Sequence, residues 1–119
     1  MVEKKKYDLE ERTLKFASAV RHYIKIIPKT IATIEDGKQV IRSSGSVGAN
    51  YIEANESLSK KDFVFRIKIC KKEAKESGYW IRLILESNDN IVEEKIGKLL
   101  LQESIELKKI FSSIEGKSN

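Results

Sequence analysis

Gln39–Glu56 reads QVIRSSGSVGANYIEANE, and the reading of this stretch decides the fold. Val40, Ser44, Val47, Tyr51, Ala54 and Leu58 alternate by four and three, the spacing of one narrow helical face turned to a core. Yet the centre, Ser43-Ser44-Gly45-Ser46 followed by Val47-Gly48-Ala49-Asn50, is a poor helix former by composition. Gly costs roughly 1 kcal/mol relative to Ala inside a helix, and Ser is only middling. A helix that keeps such residues needs a reason, and the usual one is close approach of another backbone or a ligand.

Three further helical segments surround this one. Asp8 with Glu11 has the spacing of a capping box, and Leu9, Thr13, Phe16, Val20, Ile24 and Ile27 follow at helical intervals until Pro28. The second segment begins between Thr30 and Gly37, with Thr33 and Asp36 as a cap pair. Ser59 and Asp62 open the third, whose residues Phe63, Ile67, Cys70, Ala74, Ser77, Ile81 and Ile84 again alternate by four and three. Beside that stripe runs a second, Phe65, Ile69, Glu76, Trp80 and Leu83, so the third helix has more apolar surface than one neighbour covers. After the turn at Ser87-Asn88-Asp89-Asn90, Asn90 and Glu93 cap a fourth segment. Its inner face is Ile96, Leu99, Leu100, Leu107, Ile110, Phe111 and Ile114, and Gly116 is its stop. Short connections make neighbouring helices antiparallel. The expectation is an all-α, up-down-up-down four-helix bundle forming a single domain over residues 1–119, with flexible ends at 1–7 and 116–119.

Bulk properties narrow the function classes. A chain of 119 residues with 40% hydrophobic and 34% charged residues fits one soluble helical domain. No apolar run approaches the roughly 20 residues of a membrane span, and no apolar stretch follows the basic N-terminus as a secretory signal requires. The lone Cys70 suits a reducing cytoplasm and reads as a buried structural thiol. A net charge of +5 admits nucleic acid or an acidic partner, although 18 acidic residues are interspersed with 23 basic ones.

Catalytic and metal patterns are missing. One Cys and one His rule out a structural zinc site, and His22 has no Glu three residues before it, as a di-iron bundle requires. His22 reads as a partly exposed helical residue. Gly45-Ser46-Val47-Gly48 does not match the Gly-x-Ser-x-Gly elbow, and there is no phosphate-cradling Gly-x-x-x-x-Gly-Lys-Ser/Thr loop. No cofactor is expected, and an enzyme built on Arg42, Asn50 and Glu53 is the weakest of the readings.

Two polar constellations remain. Gln39, Arg42, Ser46, Asn50 and Glu53 lie on one side of the second helix, within reach of Glu73 and Glu76 on the third. They form either a structural network, in which Arg42 pairs with Glu53, Glu73 or Glu76 while Asn50 bonds backbone, or a functional site or subunit contact. Lys61, Lys68, Lys72, Lys75 and Arg82 recur by sevens, fours and threes along the third helix, with Lys71 beside them. Such a line either follows phosphates or is a solvated face balanced by Glu73 and Glu76. Lys4-Lys5-Lys6 adds a basic arm.

Gln39-Val40-Ile41-Arg42-Ser43-Ser44, then Ser46-Val47-Gly48-Ala49-Asn50-Tyr51-Ile52-Glu53-Ala54, resembles the Q-x-x-R-S-x-x-S-x-x-x-N-x-x-E-[GA] signature of a bacterial four-helix-bundle family. Its members are the 23S rRNA intervening-sequence proteins. Ser59–Phe63 and Lys72–Ile81 are similar to the family's next block, and the likeness spans Leu9 to Ile114. The resemblance implies a homopentamer around a central channel, no catalytic activity, and kinship with the accessory proteins of diversity-generating retroelements, which bind nucleic acid and a reverse transcriptase. On that footing Phe65, Ile69 or Trp80 is expected at a subunit contact. The expected function is non-enzymatic binding of RNA or DNA backbone through Lys68, Lys71, Lys72, Lys75 and Arg82. The alternative is a protein-binding adaptor.

Overall fold

The computed structural model describes residues 2–87 and 90–118, with side chains described for 8–87, 90 and 92–118. Four helices follow one another: α1 (Val2–Ile26), α2 (Ile31–Asn55), α3 (Lys60–Glu86) and α4 (Ile91–Ser118). At 1.5 Å per residue, helices of 25 to 28 residues are about 38–42 Å long, which accounts for the 45 Å long axis of the molecule. Each helix packs on its neighbours in the order α1–α2–α3–α4, and α4 closes back on α1. This is the up-down-up-down four-helix bundle, and no strand occurs among the described residues.

Local chemistry sets the helix ends. Thr30 and Thr33 form a capping box at the start of α2, and the Thr33 hydroxyl also donates to the Pro28 carbonyl at 2.7 Å. The expected Thr33–Asp36 cap is therefore one turn too late, because Pro28 places the chain reversal immediately before Thr30. The Lys29 ammonium donates to the Ile24, Lys25 and Ile27 carbonyls and so satisfies the C-terminal end of α1. Ser59 Oγ accepts from the Asp62 N–H, and Asn90 Oδ1 accepts from the Val92 and Glu93 N–H groups, as the sequence suggests for α3 and α4. Asp8 instead lies inside α1, and α4 continues through Gly116 to Ser118. Asn88, Asp89, Asn119 and the Lys4-Lys5-Lys6 side chains lie outside the described residues.

The core is one cluster along the bundle axis, including Phe16, Val20, Tyr23, Val40, Val47, Ile67, Cys70, Ile81, Ile84, Leu107 and Phe111. Two expected core residues are not in it. Leu58 is 99% exposed because α2 ends at Asn55, and Leu99 is 72% exposed because the inner face of α4 passes through Leu100, Ser104 and Leu107. Tyr23 takes an inner place on α1, beside a half-buried Ile24. Burial pushes the Cys70 thiol up to about 12, which makes it chemically inert in the folded protein.

Small residues do what the opening stretch implied. A Cβ on Gly48 would stand 2.9 Å from the Thr13 hydroxyl of α1, so Gly48 is where α1 and α2 approach. Across the α2–α3 seam the buried Ser43 and Ser77 hydroxyls are 2.8 Å apart. Ser77 donates its only proton to the Glu73 carbonyl, so Ser43 is the donor between them.

Candidate nucleic-acid interface

The outward face of α3 is set by its inward face. Ile67, Cys70, Ala74, Ser77, Ile81 and Ile84 are buried, and a helix so fixed turns the opposite arc to solvent. That arc carries Lys61, Phe65, Lys68, Lys72, Lys75, Tyr79 and Arg82, all exposed and alternating by four and three. Lys61, Lys68, Lys72, Lys75 and Arg82 make no ion pair among the described residues. Lys71, expected among the contact residues, is turned aside: its ammonium donates to Glu115 of α4 at 2.7 Å.

Two acidic residues that could balance the row, Glu73 and Glu76, are engaged elsewhere. Arg42 of α2 bonds Glu76, and its Nη2 lies 3.5 Å from Glu73 Oε1. Glu73 is buried, and that oxygen has no hydrogen bond, so the contact is an ion pair without hydrogen-bond geometry. Of the polar set predicted from sequence, Arg42, Glu73 and Glu76 are thus brought together. Asn50 is not part of this group. Its Nδ2 donates to the Ser46 carbonyl at 2.9 Å, as expected, and its Oδ1 accepts from Arg66 Nη1 at 3.0 Å. The Arg66 partner was not foreseen. Gln39 and Glu53 are exposed, and their side chains form no hydrogen bond or ion pair with Arg42.

The aromatic residues divide. Phe65 is 58% exposed and Tyr79 57%. Trp80 and Ile69 are half-buried, and Trp80 packs against the chain's own core. The Arg66 guanidinium sits 5.9 Å from the Phe65 ring centre, and Tyr79 meets Trp80 edge-on with ring centres 5.1 Å apart. An open groove of about 490 Å³ borders Phe65 and is lined by Lys60, Lys61, Val64, Lys68 and, from the end of α4, Ser118. In a second pocket Phe65 borders Glu53, Glu56, Asp62 and Arg66. Sequence reasoning assigned Phe65 to a stripe with Trp80 and passed over Tyr79, whose distance of fourteen residues from Phe65 is two heptads.

A family model described as 23S rRNA-intervening sequence protein matches residues 5–113. The chain belongs to that family. The 23S rRNA-intervening sequence protein model covers part or all of each helix and includes the whole exposed face of α3. Among solved structures, the chain is similar to a protein of unknown function from the S23 ribosomal protein family of Bacteroides thetaiotaomicron. The two are 27% identical with a TM-score of 0.75, over 89% of this chain and 96% of the other. No curated protein sequence matches significantly.

Other groups carry little chemistry. No cluster of three or more His, Cys, Asp or Glu able to hold a metal exists among the described residues. His22 is exposed, with Nδ1 2.9 Å from the Ser18 carbonyl. Burial, with a smaller contribution from Glu93, raises the Tyr23 phenol to about 12. The Arg12–Glu103 pair, two hydrogen bonds of 2.7 and 2.8 Å between α1 and α4, raises the Arg12 pKa. No described helix is long and apolar enough to cross a membrane.

Proposed function

We propose that the protein is a non-enzymatic, cytoplasmic nucleic-acid-binding protein that holds the phosphate backbone along the exposed face of α3. The observation that carries this reading is the row Lys61, Lys68, Lys72, Lys75 and Arg82, cationic and unpaired among the described residues, while Glu73, Glu76 and Glu115 are occupied by other partners. Exposed like charges repel one another, and a polyanion removes that cost while releasing its own counterions. The family description, which refers to a ribosomal RNA, is compatible with this reading.

Fluorescence anisotropy over a salt series tests it. Affinity is expected to fall linearly on a log–log plot. Changing Lys68, Lys72 and Lys75 together to Ala should flatten the slope by about 2–3, since each lost phosphate contact removes about 0.7–0.9. Binding indifferent to salt, or unchanged in the variant, counts against the proposal.

A second reading, a protein-binding adaptor or self-associating scaffold, draws on a different surface. Leu14 and Ile52 are 61% and 50% exposed and share a groove of about 380 Å³ with Ala17, Gly45, Gly48 and Ala49 between α1 and α2. This groove offers a second copy more open apolar surface than half-buried Ile69 and Trp80 do. The pentamer implied by family resemblance belongs to this proposal. Light scattering at micromolar concentration tests the self-association, and a monomeric mass that persists there would remove the pentamer; a stable protein partner in pull-downs would support the adaptor.

A further inference from the structure

We infer that the α3 surface takes single-stranded polynucleotide in preference to duplex, with unstacked bases lying on Phe65 and Tyr79 and the backbone running along the lysines between them. This rests on the nucleic-acid reading above and adds the aromatic residues to it.

Two exposed aromatic side chains occupy the cationic row itself, in the order Lys61–Phe65–Lys68–Lys72–Lys75–Tyr79–Arg82. Each ring has cations on both sides along the helix. Phe65 and Tyr79 stand fourteen residues apart, which is about 21 Å along the axis. Lys68, Lys72 and Lys75 fill the interval; of the carboxylates between Lys61 and Arg82, Glu73 and Glu76 pair with Arg42 and Asp62 stands at the Phe65 end.

The surroundings of Phe65 define a path. One border is the groove of about 490 Å³, which Lys60, Lys61 and Lys68 help to line. Phe65 also borders Glu53, Glu56 and Asp62 together with Arg66, whose guanidinium sits over the ring, 5.9 Å from its centre. The lysine-lined groove is therefore the more cationic approach for a phosphate, and the ring surface that Arg66 leaves open accepts the base. The same chemistry recurs where single strands are held without sequence preference, by cationic tracks with aromatic platforms. A duplex keeps its bases stacked on one another, so it can use the ammoniums but not the rings.

Tyr79 supplies its own reporter. Its ring meets Trp80, the only tryptophan in the chain, at a centre distance of 5.1 Å. A base stacked on Tyr79 alters the surroundings of that indole.

The test uses labelled oligouridine, oligodeoxythymidine and a mixed-sequence duplex of equal length, because runs of uridine and thymidine do not fold on themselves. Binding by the wild-type protein is compared with Phe65→Ala/Tyr79→Ala, with Phe65→Leu/Tyr79→Leu, which keeps apolar bulk without a ring, and with the triple lysine variant. Circular dichroism confirms that each is folded. Both aromatic variants are expected to lose about tenfold or more in affinity for both single strands, with duplex affinity and salt slope unchanged. Trp80 emission is expected to change with single strands and to stay constant with duplex. Equal loss for single strands and duplex, or no loss, overturns the inference; salt-dependent binding that still falls in the lysine variant then leaves the broader proposal standing. If the wild type binds no polynucleotide at low salt, both fail, and an acidic protein becomes the partner of this face.

Discussion

The two faces of α3 follow the same four-three rhythm and have opposite fates. The inner face, Ile67–Cys70–Ala74–Ser77–Ile81–Ile84, is fully buried. The outer face, Lys61–Phe65–Lys68–Lys72–Lys75–Tyr79–Arg82, is exposed at every position. The spacing shows that both are helical faces; the chemistry of the residues shows which one folds the protein. Small and aliphatic groups make the inside, where a hydroxyl such as Ser77 is tolerated because Ser43 and the Glu73 carbonyl satisfy it. Ammonium groups make the outside, where aromatic rings stay exposed although burial would favour them.

Substitutions should separate stability from binding along this division. The largest effect is expected from Ile81→Ala, a buried truncation that costs about 2–5 kcal/mol in a chemical denaturation curve while leaving affinity intact in the protein that remains folded. Alkali probes the inner face without mutation. The Cys70 thiol ionises near 9 when exposed and near 12 when folded, so between those values the unfolded chain holds fewer protons and stability falls as pH rises. Tyr23 acts in the same direction, from 10 to about 12. From Cys70 alone about 2 kcal/mol should disappear between pH 9 and 11; Cys70→Ala should flatten the alkaline slope, and an unchanged slope would argue that the thiol is not the group responsible.

Arg42→Ala lies on the border of the two faces. It leaves buried Glu73 without its cation, and because Arg42 itself is half exposed the loss should be about 1–2 kcal/mol. Thermal melts of the Arg42→Ala and Arg42→Ala/Glu73→Gln variants check this, with the second substitution expected to restore part of the loss. The smallest effect on stability belongs to the outer face. Lys68, Lys72 and Lys75 changed together to Ala should alter stability by no more than about 0.5 kcal/mol per site while removing most salt-dependent binding. A large change in the melting curve would mean that the outer face is structural after all.

The inner face was legible because burial selects apolar residues at each turn, and a run of six positions leaves no doubt about phase. The outer face was legible only for its lysines. Phe65 is followed fourteen residues later by Tyr79 and fifteen later by Trp80, which at 100° per residue stand about 40° to one side of it and about 60° to the other. Spacing alone cannot decide between the two. The rotation of α3 is fixed by its packing on α2 and α4, and that rotation buries part of Trp80 and exposes Tyr79. The same limit explains Leu99, which has the right chemistry for a core and the wrong phase. It also explains Asn50, whose Arg66 partner sits on another helix. Leu58 failed for a different reason, since the pattern continues through it after the backbone has left the helix. Gly48 and Ser43 signalled close approach correctly, but a sequence does not say which helix comes near.

The unpaired row on α3 also makes the molecule electrically lopsided. Its charge of +5 is an excess with a direction, because the row contributes cations on one side that form no ion pair with a described carboxylate. A polyanion several ångströms away exerts a torque on such a body before any contact forms, and the molecule arrives with that side leading. Electrostatic steering of this kind raises association rates by about ten- to a thousandfold and fades as salt shortens the range of the field. The arrangement therefore governs how quickly, and in which orientation, an encounter begins.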